Sequence, residues 1–375
     1  MSKYSEHLNR ILELRKMGLS NTEIAIKLKE EGELSQSEET IRKQISRMIP
    51  KDEDHESMVG FAEANGVPAD KVSSYWFKGD HFSLNVKNNK TVDWTEIRDS
   101  LIDDMKSYAP KYGGFDYKQY SDGHCLVIDP ADIHIGKLSM AFETGEDYDS
   151  NMAVARVLRG VEGIVDKSHG FDIDQIVFIG GNDILHIDSP RRTTTSGTPQ
   201  DTDGMWFSNF MMAKQLYIDV IEALLSIAPV HFVYNPSNHD YVHGFFLCDI
   251  IATWFSEEPN MTFDTNLNHR KYYKYGNNLI GSTHGDGAKL NDLPLLMATE
   301  APLYWSQTEH RYVYTHHVHH KTSKDYPGVT IESLRSPSGA DSWHHRNGYQ
   351  HAPKAVEGFV HHPKHGQVAR ITHLF

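Results

Sequence analysis

Five short apolar runs, CLVID, QIVFIG, VHFVY, NLIGS and RYVYT, recur after His124, and each is followed within a few residues by side chains that bind cations or move protons. Runs of this length, rich in Val, Ile and Tyr, read as buried strands. Helical stretches between them, over 151–167, 204–227 and 244–255, make the pattern α/β. In such a fold the carboxyl ends of the strands share an edge, so the residues behind the runs are predicted to converge in one crevice. Behind CLVIDP stands Asp132-Ile133-His134, and behind QIVFIG stands Gly181-Asn182-Asp183. Asn238-His239-Asp240 follows VHFVY, His284-Gly285-Asp286 follows NLIGS, and His317-Val318-His319 follows RYVYT.

Composition narrows the chemistry of that crevice. The chain has 24 His in 375 residues, eleven of them between His310 and His365. Imidazole is the commonest metal ligand and titrates nearest neutrality. Cys125 and Cys248 are the only cysteines, and no CxxC occurs, which excludes a thiolate zinc site and a disulfide framework and assigns both to the core. Imidazole and oxygen donors without thiolate suit divalent manganese, iron, zinc or nickel. No stretch approaches the roughly eighteen apolar residues of a membrane span, and MSKYSEHLNR lacks a secretory apolar region, so a cytoplasmic protein with no membrane partner is expected. Gly-rich phosphate cradles of the Walker or dinucleotide type are absent.

Length predicts two or three domains. Residues 1–50 carry a net charge of +1, leaving −15 on the remainder, and are read as a separate unit. Three helices are predicted there. Tyr4 to Met17 places Leu8, Ile11, Leu12 and Leu14 on one side and stops at Gly18. Ser20 with Glu23 forms a capping box for a second helix carrying Ile24, Ala25 and Leu28, and Ser35 with Glu38 repeats it for a third carrying Ile41, Ile45 and Met48. GLSNTEIAIKLKEEGELSQSEETIRKQISRM resembles the helix-turn-helix of resolvase-like and sigma-factor-like DNA binders. That resemblance implies DNA contact through Arg42, Lys43 and Arg47 on the last helix; a helical hairpin for dimerisation or docking is the alternative. Residues 51–120 read as a charged linker, KDEDHES, then a strand pair turning at Lys78-Gly79-Asp80 or Asn88-Asn89, then a helix from Thr95 to Tyr108. Residues 121–375 form the main domain, closing on a hairpin in GFVHHPKHGQVARITHLF.

In the order DxH, GxD, NHD, HGD and HxH, the chain resembles the calcineurin-like metallophosphoesterases over roughly residues 122–375. The resemblance implies a four-layer α-β-β-α sandwich. It implies that Asp132, His134 and His319 hold one divalent ion, that Asn238, His284 and His317 hold a second, and that Asp183 bridges them, with manganese the first choice of metal. A hydroxide shared by the ions would attack phosphorus, and His239, off the metals, would protonate the leaving oxygen. Asp240 and Asp286 are expected either to orient ligand imidazoles or to face solvent.

Three departures mark a divergent branch: Asn182 separates Gly181 from Asp183, Ser237 replaces a glycine before Asn238, and His316 replaces one before His317. His186 stands where many members carry a second Asp, as an outer group or a core residue. The loops 189–203 and 335–349 look like those of phosphoesterases encoded by tailed bacteriophages, which would place the protein in a host cytoplasm. Within them Arg191, Arg192, Trp343, His344 and Arg346 are substrate-gripping candidates. The activity implied is hydrolysis of phosphodiesters, those of DNA first, with DNA as partner. A phosphomonoester or small-nucleotide substrate is the alternative that the acidic body favours. A DNA-binding regulator with a lapsed site is the third, and the filling of all seven ligand positions and His239 speaks against it.

Overall fold

A computed structural model describes residues 7–32, 37–48, 74–78, 83–87, 98–99, 102–103, 110 and 112–375. The chain divides into two compact units, Met1–Asp93 and Trp94–Phe375.

In the first unit the predicted helices form α1 (Leu8–Lys16), α2 (Asn21–Glu30) and α3 (Glu38–Met48). The Ser20 box is present: the Glu23 amide donates to Ser20 Oγ at 3.4 Å and the Ser20 amide donates to Glu23 Oε2 at 2.7 Å. Ile11, Leu14, Ile24, Ala25, Leu28, Ile41 and Ile45 pack into one apolar cluster. The expected second cap, Ser35, lies outside the described residues. Ser37 stands at the head of α3, its Oγ accepting from the Thr40 amide at 3.4 Å. β1 (Ser74–Lys78) and β2 (Ser83–Lys87) pair antiparallel with Lys78 opposite Ser83; the residues between them lie outside the described ones. The helix expected over 95–108 lies largely outside the described residues.

Among the described residues of the second unit, eleven strands make two mixed sheets. The larger has the order β13-β12-β3-β4-β5-β6. Its strands are β3 (His124–Asp129), β4 (Ile173–Gly181), β5 (Val230–Asn235), β6 (Met261–Asp264), β12 (Ala355–His362) and β13 (Gly366–Leu374). β3 to β6 run parallel, while β12 and β13 form the expected closing hairpin. The other sheet has the order β10-β11-β9-β8-β7, from β7 (Arg270–Tyr275), β8 (Asn278–Thr283), β9 (His310–Thr315), β10 (Thr322–Tyr326) and β11 (Val329–Ser333).

Period-two alternation sets the layers. Cys125 and Val127 of β3 face inward and meet Ile280 of β8 and Tyr314 of β9 between the sheets, where Tyr314 stacks on Phe359 at 3.9 Å. Leu126 and Ile128 face outward against α4 (Ser150–Lys167), α5 (Trp206–Leu225) and α6 (Tyr241–Trp254). Leu279 and Val313, on the far face of the second sheet, pack on Leu293 and Met297 of a short helix. Helix, sheet, sheet and helix therefore follow one another through this unit, as expected. Both cysteines are buried and free. The largest boundary difference among these three helices is at α6, which starts at Tyr241 rather than at Gly244, while the other ends shift by two residues or fewer. Gly244 lies within the helix, at a position where a Cβ would come within 3.2 Å of the Asp240 carboxylate. No helix among the described residues is long and apolar enough to cross a membrane.

Candidate metal centre

The loops behind β3 and β4 run side by side. The Asp132 amide donates to Asn182 O at 2.8 Å, His134 to Asp183 O at 2.9 Å and Ile135 to Ile184 O at 2.8 Å. Along this ladder the backbone is left-handed at four residues, with φ of +53° at Asp132 and His134, +51° at Asn182 and +59° at Asp183. His317 and His319 behind β9 share that conformation, at +71° and +57°. Asp, Asn and His tolerate it better than other side chains, which is one reason these types fill the loops. Gly181 is also left-handed, and a Cβ on it would lie 2.3 Å from Asn235 O.

Two triads result. Oxygen and nitrogen atoms of Asp132, His134 and His319 lie within 4.8 Å of one another, as do those of Asp183, His284 and His317. The first is closed by His134 Nε2 facing His319 Nε2 at 3.3 Å, with Asp132 Oδ1 3.6 Å from the latter. In the second, His284 Nε2 lies 3.2 Å from Asp183 Oδ2 and 2.9 Å from Asn238 Oδ1. Asp183 Oδ2 is also 4.0 Å from His134 Nε2, so one carboxylate reaches both triads. Its other oxygen accepts the His239 amide at 2.9 Å. The seven residues named as ligands thus come together.

The electrostatics suit cations. Burial, then the charges of His239 and Lys137, pulls His134 well below its ordinary pKa, and burial does the same to His319, so both present neutral nitrogens. Burial pushes Asp183 upward, but His284 and His239 outweigh it and hold the carboxylate well below its usual range. Burial raises Asp132 to about 7, and His284 is lifted to about 9 because Asp183 and Asp132 overcome the effect of its own burial. The buried His284 Nδ1 has no hydrogen-bond partner. Closely facing imidazoles, an ionised carboxylate between them and an orphaned buried nitrogen form a donor set that fits divalent ions.

The departures from the expected pattern build part of the site. Ser237 Oγ accepts the Asp183 amide at 2.8 Å and donates to Asp240 Oδ1 at 2.6 Å. Asp240, fully buried, takes the Leu185 amide on its other oxygen at 2.8 Å, so it fixes the loop and orients no imidazole. Burial and nearby Asp183 push Asp240 to about 8. Asp286 is exposed. His316 is buried, with Nε2 2.9 Å from Asp129 Oδ2 and Nδ1 3.1 Å from Thr283 O, and joins the ends of three strands. His186 is buried beside the first triad, its Nδ1 3.3 Å from His134 Nδ1 and its ring stacked on His239 at 5.2 Å. His134, His186 and His239 form a third close set of nitrogens.

A cleft of about 550 Å³ opens over both triads. Trp343 and His344 line it, whereas Arg191, Arg192 and Arg346 stand outside its lining. Lys137 and Asp341 line it too, though no motif pointed to either; Lys137 stands three residues past His134, the one clue available. On α3, Arg42 and Lys43 are exposed and Lys43 pairs with Glu39 at 2.9 Å; the Arg47 side chain lies outside the described residues.

No family profile and no curated protein matches the sequence. Solved structures similar to it include an archaeal phosphodiesterase at 9% identity, covering 67% of this chain and 99% of that one with a TM-score of 0.32. Vps29 of Entamoeba histolytica, complexed with zinc, is 13% identical over 66% of this chain and 98% of its own, at a TM-score of 0.28. An uncharacterized protein of Streptococcus pneumoniae, described as a predicted phosphoesterase, is 12% identical over 68% and 99%, at 0.26. The chemistry is therefore read from the side chains themselves.

Proposed function

We propose that the chain is a two-metal phosphoesterase of the calcineurin-like type. The observation that carries this reading is the meeting of two ligand triads at the single carboxylate of Asp183. Asp132, His134 and His319 would hold one divalent ion and Asn238, His284 and His317 the other, with Asp183 shared and manganese the expected metal. Bound together, such ions supply an acidified water and neutralise the oxygens around phosphorus.

The chain's own residues do the rest. The His239 amide fixes Asp183, and its ring Nδ1 donates to the His186 carbonyl at 2.9 Å, which leaves Nε2 as the atom that exchanges a proton with the leaving oxygen. Ser237 and Asp240 hold the Asp183 loop, and His316 locks the Asp132 and His317 loops by bonding to strand ends. Loss of these contacts would misplace the ligands without removing them.

The substrate proposed first is a DNA phosphodiester, delivered by α1 to α3, with Arg42 and Lys43 exposed on the last helix. The charge of −15 outside the first fifty residues favours the second reading, a phosphomonoester or small nucleotide. With manganese, the chain should hydrolyse bis-p-nitrophenyl phosphate and cut DNA, and Asp183→Asn should do neither. A higher rate on p-nitrophenyl phosphate than on the bis ester would transfer the assignment to monoesters, and hydrolysis of neither would remove it.

A further inference from the structure

Lys137 is 1% exposed yet lines the cleft that opens over both triads. A tight turn puts it there: Gly136 has φ +98°, the Lys137 amide donates to His134 O at 3.0 Å, and Lys137 bridges antiparallel to Thr202. Its Nζ lies 3.0 Å from Asp341 Oδ2, which can occupy only one of its three N–H groups, and no other acceptor among the described residues reaches it, so the ammonium keeps unspent donors in a buried place. Asp341 is itself fixed, with Oδ1 accepting from the His344 amide at 2.9 Å and from His344 Nδ1 at 2.7 Å. The His344 ring stacks on His319 at 5.0 Å, which seats this wall against the first triad. The charge of Lys137 is felt at His134, His186 and His319, where it adds to the lowering of each pKa.

Burying an ammonium is costly, and one carboxylate neutralises its charge while leaving two of its three N–H groups unpaired. A phosphoryl oxygen in the cleft is the acceptor that would use them, because a lysine binds phosphate as a compact point charge. We propose that Lys137, oriented by Asp341, is a substrate-binding residue whose ammonium grips a non-bridging oxygen of the phosphoryl group presented to the triads. The assignment rests on the phosphoesterase reading above. It locates substrate recognition on the wall formed by residues 137 and 341–344, away from Arg191, Arg192 and Arg346.

The test uses the manganese-loaded full chain and inorganic phosphate as the probe. Lys137→Met keeps the stem and removes the charge; Lys137→Met with Asp341→Asn removes both charges and carries the test if the single variant misfolds. The expected result is a rise of about tenfold or more in the inhibition constant for phosphate and in KM for p-nitrophenyl phosphate. Manganese content and kcat should change far less, and Lys137→Arg should recover part of the phosphate affinity. Phosphate affinity within about twofold of the parent, in a variant that retains manganese, would overturn the assignment. So would loss of manganese from both variants, which would make the Lys137–Asp341 pair a structural tie. Failure of the parent chain to bind manganese would instead overturn the phosphoesterase reading beneath it.

Discussion

The helices over residues 8–48 and the strand-end edge of the larger unit are built on opposite terms. Among the described residues of the helices, everything buried is apolar: Ile11, Leu14, Ile24, Ala25, Leu28, Ile41 and Ile45. At the strand ends, Asp132, His134, Lys137, Asn182, Asp183, His186, Asp240 and His284 are all at 2% exposure or less. Apolar burial stabilises a fold, while burying ionisable groups without full partners opposes it. Strain is distributed in the same way. Of the seven non-glycine residues described with left-handed backbone, six are Asp132, His134, Asn182, Asp183, His317 and His319, and the seventh is Arg192. Such residues cost on the order of 1–3 kcal/mol each and persist only where surrounding contacts hold them. Desolvation and strain are thus concentrated where cations and a phosphoryl group would offset them.

That contrast can be broken at either end. The largest effect expected is on chemistry: His239→Ala should lower kcat by about a hundredfold or more with manganese retained, and a loss under about threefold would deny it the proton-transfer role. Leu28→Ala should destabilise the helices by about 2–5 kcal/mol, read as faster amide exchange in α1 to α3, while hydrolysis of bis-p-nitrophenyl phosphate by the other unit is unchanged. Removing manganese from a solution at about a hundred times its Kd should cost the larger unit about 2.7 kcal/mol for each ion lost and leave exchange in the helices as it was.

Acid should separate the units as well. His361 is fully buried, its Nε2 2.9 Å from Tyr314 Oη, and burial pushes its pKa down to about 3. The unfolded chain takes up that proton below about 6.5, so the stability it contributes is complete above that pH and is lost as pH falls toward 3. At pH 5 the loss is about 2 kcal/mol, and His361→Gln should flatten the slope by one proton. The helices, whose described core holds no titratable group, should not follow it between about pH 6.5 and 5; Glu23 and Glu31, held below the ordinary carboxylate range by Ser20 and Arg10, make them acid-sensitive only below that. Smallest is the cap: Ser20→Ala should cost α2 about 1 kcal/mol and nothing elsewhere.

Much of this was legible in the sequence, for different reasons in the two units. Helix caps and a 3.6-residue apolar rhythm are local, so α1 and α2 could be placed from a few residues each. The candidate metal centre was legible because strand ends share an edge and because the five motifs, in their order, carry the resemblance that named the ligands; that two sheets rather than one supply those strand ends was not. Contacts that depend on loop paths were not. Ser237 and His316 read as departures, yet one fixes the Asp183 loop and the other ties three strand ends. Asp240 read as an imidazole partner or a solvent-facing carboxylate, but its neighbours are Ser237 and the Leu185 amide. Lys137 and Asp341 are 204 positions apart, and no pattern in either segment announces that they meet at 3.0 Å.

The central claim is that Asp183 belongs to two cation sites at once. Counting manganese per chain by equilibrium dialysis and elemental analysis, in the parent and in Asp183→Asn, tests it most directly. Two ions in the parent and at most one in the variant is the predicted result. No bound manganese in the parent, or two ions retained after the carboxylate is gone, would contradict it.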